Sequence, residues 1–286
     1  MSRLDATLRG MLWAFAAGTL LVSLNMTMRM LTLQLSPFQT QFLRYLAGLL
    51  VMLPFVWRDG VVRYRPRDFA GQFGRGALLA LALSLWFIAI AHISLVDTTA
   101  IGFTTPIFIM LGAALLFREP MRARRWVAAG TGFAGVIVVV GPQLSGGGGA
   151  YTLLMLATCP LFAASFLFTK ALTRYERPEV IVLWQAITVT LFSVPLALLQ
   201  WQWPSPLQWL AFVLCGLLGT TGHYCLTRSY AVVDISATQS VKFMDLVWAA
   251  LFGWAAFGDV PARSTLLGGA VICAATIWAA RRAAKP

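Results

Sequence analysis

Residues 234–259 read DISATQSVKFMDLVWAALFGWAAFGD, an apolar run long enough to cross a bilayer that holds Lys242 and Asp245 near its middle. A helix needs about 20 mostly apolar residues to span a hydrocarbon core of roughly 30 Å. A charge at the centre of such a helix costs about 2.5 to 3.5 kcal/mol on insertion scales, so the pair demands a reason. The rest of the chain has the same apolar character: of 286 residues, 59% are hydrophobic and 11% charged, with a mean hydropathy of +0.77. Soluble domains run at roughly half apolar and a quarter charged. The sequence is therefore that of an all-α integral membrane protein with no room for a soluble domain. Apolar runs predict ten transmembrane helices, at about 9–30, 38–57, 70–93, 95–117, 125–141, 150–172, 179–200, 206–229, 233–257 and 263–281.

The formal net charge of +12 is distributed by loop. Basic residues gather in WRDGVVRYRPRDF (57–69), FREPMRARRW (117–126), TKALTRYERP (169–178) and RRAAKP (281–286). The intervening loops LTLQLSP (31–37), GPQLSGGGGAY (141–151) and QWQWPSP (200–206) carry none. Because loops rich in Lys and Arg stay inside, both termini are expected in the cytoplasm of a bacterial-type inner membrane. Topology thus accounts for the charge without nucleic acid as a partner. Trp57, Trp126, Trp201 and Trp203 suit the two interfacial belts. Cys159, Cys215, Cys225 and Cys273 lie singly within spans, in no paired spacing that implies a disulfide or a metal.

Residues 90–108 can be set over residues 227–245, so that Val96-Asp97 falls on Val233-Asp234 and Thr99-Ala100 on Ser236-Ala237. Arg44 and Pro54 fall likewise on Gln185 and Pro195, and Glu119 corresponds to Asp259. The offset stays between about 137 and 141 residues, the mark of a tandem duplication of five spans. An odd number of spans places the two copies in opposite orientations, giving two inverted five-helix repeats. The expected division is residues 1–143, a glycine linker at 144–149, and residues 150–286.

This duplicated pattern, with Arg44 in the second span, a fourth span containing Pro106 and ending in LLFREP, and a ninth span reading DLVWAALFGWAAFGD, resembles the EamA-type transporters of the drug/metabolite transporter superfamily. The resemblance covers nearly the whole chain. It implies a ten-helix metabolite transporter with both termini inside, in a family that moves amino acids, amines, nucleotide-like cofactors and vitamins. Asp259 stands where the family more often has Glu. Lys170 fits the family's basic residue late in the sixth span, while the first span has Met28-Arg29 there.

Polar residues at membrane depth are the candidates for a site. Lys242 and Asp245 are one helical turn apart and share a stripe with Thr238 and Ala249, whereas Val247, Leu251 and Trp254 point elsewhere. Such a stripe faces the bundle interior or a water-filled cavity. The pair serves either as a structural ion pair or as part of a central cavity. Further candidate substrate contacts are Asn25 in the first span, Trp86 in the third, Thr104 and Thr105 in the fourth, Gln185 in the seventh, and His223 and Tyr224 in the eighth. Trp86 and His223 are taken as repeat equivalents. Pro106 frees backbone carbonyls that other groups must satisfy. Arg44 reads as structural or cavity-lining, because the family pattern keeps it whatever the substrate. Asp97 and Asp234 read as helix caps.

The function these features imply is secondary transport by alternating access, with a small substrate held near the midplane. Arg44 and Lys242 set against Asp245 give a site that leans positive, suited to amino acids or other zwitterionic or anionic metabolites, with vitamin- or nucleotide-like ones included. Family resemblance alone favours export. A multidrug or organic-cation exporter and a lipid-carrier flippase use the same fold and are the alternatives. Enzyme motifs such as HExxH are missing, and neither a cofactor nor an obligatory protein partner is implied. The partners are a small molecule and the lipid bilayer, and proton or other ion coupling fits the same scheme.

Overall fold

The computed structural model describes residues 3–102, 104–117, 149–233, 235–238 and 244–258, together with scattered helical residues between 127 and 138 and between 263 and 274. Helices α1 (Arg3–Thr32), α2 (Pro37–Asp59) and α3 (Phe69–Ile90) are followed by the shorter α4 (Leu95–Gly102) and α5 (Thr105–Phe117). The second half contains α6 (Gly149–Leu172), α7 (Pro178–Leu198), α8 (Pro206–Val232), α9 (Ile235–Thr238) and α10 (Met244–Phe257). Six of these, α1 to α3 and α6 to α8, are long and apolar enough to cross a membrane. The chain is thus an all-α protein with several spans. The greater part of the expected spans at 125–141 and 263–281 lies outside the described residues, as do Glu119, Trp126, Asp234, Lys242, Asp259 and Cys273.

Helix boundaries follow from their end residues. Proline stands in the first turn of α2, α7 and α8, where its missing N–H is no loss. Ser205 and Gln208 form a capping box at the start of α8, and Asp68 caps α3 by accepting from Gly71 N at 2.8 Å. At α4 the cap is Ser94 rather than the expected Asp97: Ser94 Oγ accepts from Asp97 N at 3.0 Å and donates to Asp97 Oδ2 at 2.8 Å.

The fourth span, expected as one helix over 95–117, is interrupted. Thr104 is a turn residue between α4 and α5, so Pro106 falls in the first turn of a new helix instead of kinking an old one. The Ile101 carbonyl released there accepts from Thr104 N at 2.9 Å, from the Thr104 hydroxyl and from the Cys159 thiol at 3.5 Å. Side chains on a neighbouring helix therefore satisfy the break, as a low-dielectric interior requires.

The packing is reciprocal. α1 lies along α8 as α3 lies along α6; α2 packs on α8 as α3 packs on α7; α1 meets α10 as α6 meets α5; and α2 and α7 meet each other. Close approaches recur at corresponding points. A Cβ on Gly76 of α3 would sit 2.1 Å from Thr188 Oγ1 of α7, and one on Gly216 of α8 would sit 2.7 Å from the carbonyl carbon of Ala47 in α2. The residues in these two contacts stand 140 to 141 positions apart in the chain, Gly76 from Gly216 and Ala47 from Thr188. Small residues in GLLGTTG (216–222) let α8 close on α1 and α2.

Each end of the bundle is latched between its two halves. At one end, Glu176 accepts from the backbone N–H groups of Arg67 and Asp68, Arg177 donates to the Arg63 carbonyl at 2.7 Å, and Trp184 Nε1 donates to the Tyr64 carbonyl at 2.9 Å. At the other, Gln208 donates to Gln34 Oε1 at 2.9 Å and Gln39 pairs with the backbone of Gln202. Glu176 is buried, so its removal orphans two amides. Glu176→Ala is expected to destabilise the protein by about 2 kcal/mol and to speed proteolysis at 58–68, checked by thermal melting and limited digestion.

Candidate functional site

A cleft enclosing about 1080 Å³, counted out to its open mouth, lies between the two halves. One side is formed by Leu24, Asn25 and Met28 of α1, Arg44 of α2, Leu83, Trp86 and Phe87 of α3, Thr98 of α4, and Thr105 and Pro106 of α5. The other is formed by Met155, Thr158, Cys159, Phe162 and Phe166 of α6, His223 of α8 and Asp245 of α10. The walls are mostly apolar and aromatic with a few polar groups converging between them, which is the usual make-up of a small-molecule site. Trp86 and Phe87 meet edge to face at 5.0 Å, while Phe162 and Phe166 lie nearly parallel, 17° apart in plane.

Of the residues proposed from sequence, Asn25, Arg44, Trp86, Thr105, Pro106, His223 and Asp245 come together in this cleft. Thr104 and Thr238 are fully buried: the Thr104 hydroxyl meets Ile101 O and, at 3.4 Å, Cys159 Sγ of α6, and Thr238 donates to Ile235 O at 2.8 Å. Tyr224 donates to Glu179 at 3.3 Å and packs against Trp13, away from the cleft lining. Lys242 lies outside the described residues. The stripe on the ninth span holds where it is described: Ala249 is buried, Asp245 half-buried, and Leu251 and Trp254 face outward. Asp245 Oδ1 rests so close to α1 that a Cβ on Gly18 would lie 2.2 Å from it.

Two polar residues that the sequence reading passed over turn out to join helices. Arg75 of α3 is wholly buried and donates to Thr169 Oγ1 at 3.2 Å, Gln185 Oε1 at 3.1 Å and the Ile181 carbonyl at 2.7 Å. Gln41 of α2 donates to Ala80 O at 3.2 Å and Ser193 Oγ at 2.9 Å, and accepts from Ser84 Oγ at 3.0 Å. An arginine inside an apolar span was the available signal for the first. Gln185 is thus engaged by Arg75, and it also borders a second, smaller cavity of about 250 Å³ that shares Arg44 and His223 with the main cleft. Among the described residues no group of three or more His, Cys, Asp or Glu is placed to hold a metal ion.

Arg44 differs from Arg75. It is 5% exposed, and its guanidinium lies 3.9 Å above the Tyr45 ring. Among the described residues none of its nitrogens makes a hydrogen bond, and no carboxylate comes within 4.0 Å.

Comparison with known proteins agrees with this architecture. A solved crystal structure overlays the chain with a TM-score of 0.72 at 21% identity, covering 99% of this chain and 100% of that one, which shows a shared fold. A riboflavin transporter of Rhizobium johnstonii is 34% identical over 95% of this chain and 91% of its own length. A riboflavin transporter of Vibrio cholerae is 28% identical over 93% and 90%, and an S-adenosylmethionine uptake transporter of Rickettsia prowazekii is 26% identical over 96% and 93%. The EamA-like transporter family matches twice, over residues 8–141 and 150–281. The chain belongs to the EamA-like transporter family and is a multi-pass inner-membrane secondary transporter of small metabolites.

Proposed function

We propose that the chain carries riboflavin, or a flat heteroaromatic metabolite much like it, inward by alternating access through the cleft between its halves. The observation that carries this reading is the wall chemistry. Trp86 with Phe87 on one side and Phe162 with Phe166 on the other present ring surface to a planar substrate, while Asn25, Thr98 and His223 offer hydrogen bonds to its polar groups. The similarity to the Rhizobium and Vibrio proteins names the first ligand to try. The Rickettsia protein is an uptake transporter, which supports the inward direction over the export that family resemblance alone suggested.

The reading includes ten spans in two inverted repeats, with both termini cytoplasmic. The two matched stretches on either side of the 144–149 linker and the reciprocal helix pairings support the repeats. The basic loops at one end of the bundle support the orientation. A second reading, a cationic nucleoside-type substrate such as S-adenosylmethionine, is favoured by Asp245 in the cleft lining.

Riboflavin uptake into proteoliposomes, followed by flavin fluorescence with S-adenosylmethionine as competitor, tests both. The expected result is saturable flavin uptake that falls about tenfold or more in Trp86→Ala, since one lost aromatic face is worth about 1.5 kcal/mol. Uptake of S-adenosylmethionine with no flavin uptake would reverse the ranking. Repeating the assay under imposed proton and sodium gradients tests ion coupling.

A further inference from the structure

We propose that Arg44 is the anchor for acceptor oxygens of the transported molecule, held ready by the protein with no hydrogen-bond acceptor of its own among the described residues. The inference deepens the flavin reading and rests on the same cleft. A buried cation in a native protein is normally paired, because desolvating it without compensation costs several kcal/mol. Arg44 is buried and borders both cavities, and its guanidinium lies over the π face of Tyr45.

The other half of the molecule supplies the comparison. Arg44 corresponds in the repeat to Gln185, and Arg75 to Cys215. In one half-interface Arg75 therefore faces Gln185 and is bonded three times. In the other, Arg44 stands near Cys215, whose short side chain offers no comparable acceptor and leaves the smaller cavity beside it. The same pair of positions thus gives an arginine three acceptors on neighbouring helices once, with only its Nε left over, and no acceptor among the described residues once. Gly219 keeps the second one in place, since a Cβ there would come 3.0 Å from Arg44 Nη2. A guanidinium with free N–H groups binds planar or tetrahedral oxygen groups two at a time. Its partner chemistry is an oxygen-rich edge, either ring carbonyls or an acidic tail.

The test has a ligand-free arm and a ligand arm. Purified Arg44→Met is expected to melt at a higher temperature than the parent when empty, because it removes a buried charge that among the described residues only the Tyr45 ring face compensates. It is also expected to bind riboflavin at least about tenfold more weakly by fluorescence quenching, the loss of one bidentate contact. Gly219→Ala, which keeps the charge but displaces it, should weaken riboflavin binding in the same direction. Flavin mononucleotide locates the oxygens: an equal loss for both flavins places ring carbonyls on Arg44, and a larger loss for the phosphorylated one places the acidic tail there. Empty Arg44→Met that melts below the parent, or that binds riboflavin as tightly as the parent does, overturns the proposal. If the parent binds no flavin, the flavin reading fails alone, while the ligand-free melting arm still decides the role of Arg44.

Discussion

Replacing Arg75 with methionine is expected to cost about 3 kcal/mol, the opposite sign to the same replacement at Arg44. Three hydrogen bonds from Arg75 cross from α3 to α6 and α7. Interhelical bonds in membranes average about 0.6 kcal/mol and reach about 1.7, and those from a charged donor stand at the upper end. Their loss also leaves buried Gln185 without the donor to its Oε1. Relief of the buried charge offsets part of this, but less than at Arg44, because the acceptors around Arg75 already repay its desolvation. Thermal melting in detergent should show a large fall in the midpoint for Arg75→Met. Arg75→Lys should fall nearly as far, since one ammonium cannot reproduce the guanidinium fork.

Gly216→Ala and Gly76→Ala are expected to differ in whether they can be rescued. The new methyl on Gly216 meets the Ala47 backbone at 2.7 to 2.9 Å, and only separation of α2 from α8 relieves it. That separation also stretches the Thr220 to Gly48 carbonyl bond, 3.3 Å at present. A cost of about 2 to 3 kcal/mol is expected, as for other overpacked cores, together with loss of uptake. Gly76→Ala instead meets the Thr188 side chain, whose hydroxyl bonds only within α7, to Trp184 O at 2.6 Å and Gln185 O at 3.4 Å. Gly76→Ala with Thr188→Gly removes all three side-chain atoms that the new methyl meets, and the helix-propensity terms nearly cancel. The double variant should regain near-parent stability in the same melting assay. Failure of that rescue would show that the α3–α7 contact depends on more than steric fit.

Depth in the membrane was legible in the sequence, and direction around each helix only partly so. Apolar run length places Asn25, Trp86, Thr105, His223 and Asp245 at cleft level, because rise per residue is fixed. Helical periodicity also turned the ninth span correctly, since Asp245 and Ala249 face inward and Leu251 and Trp254 outward. Tyr224 shows the limit. It sits beside His223 in the chain, yet one residue rotates it by about 100° toward Trp13 and Glu179. Gln185 was identified as a polar group at the right depth, but its partner is Arg75, which sits 110 residues away in the chain. No local pattern carries that pairing. The aromatic walls were hidden for another reason: Phe87, Phe162 and Phe166 read from sequence as ordinary core, and only the space beside them marks them as lining. The interruption at Thr104 was half legible, since Pro106 announced freed carbonyls without saying whether the helix would bend or end.

The two latches at the ends of the bundle differ chemically. Gln34 with Gln208 and Gln39 with the Gln202 backbone form a clasp of neutral amides, whereas the opposite clasp depends on the Glu176 carboxylate. Hydrogen bonds to a carboxylate are roughly twice as strong as bonds between neutral amides. The glutamine clasp is therefore the weaker of the two, and the end where the halves part first when they rock against each other.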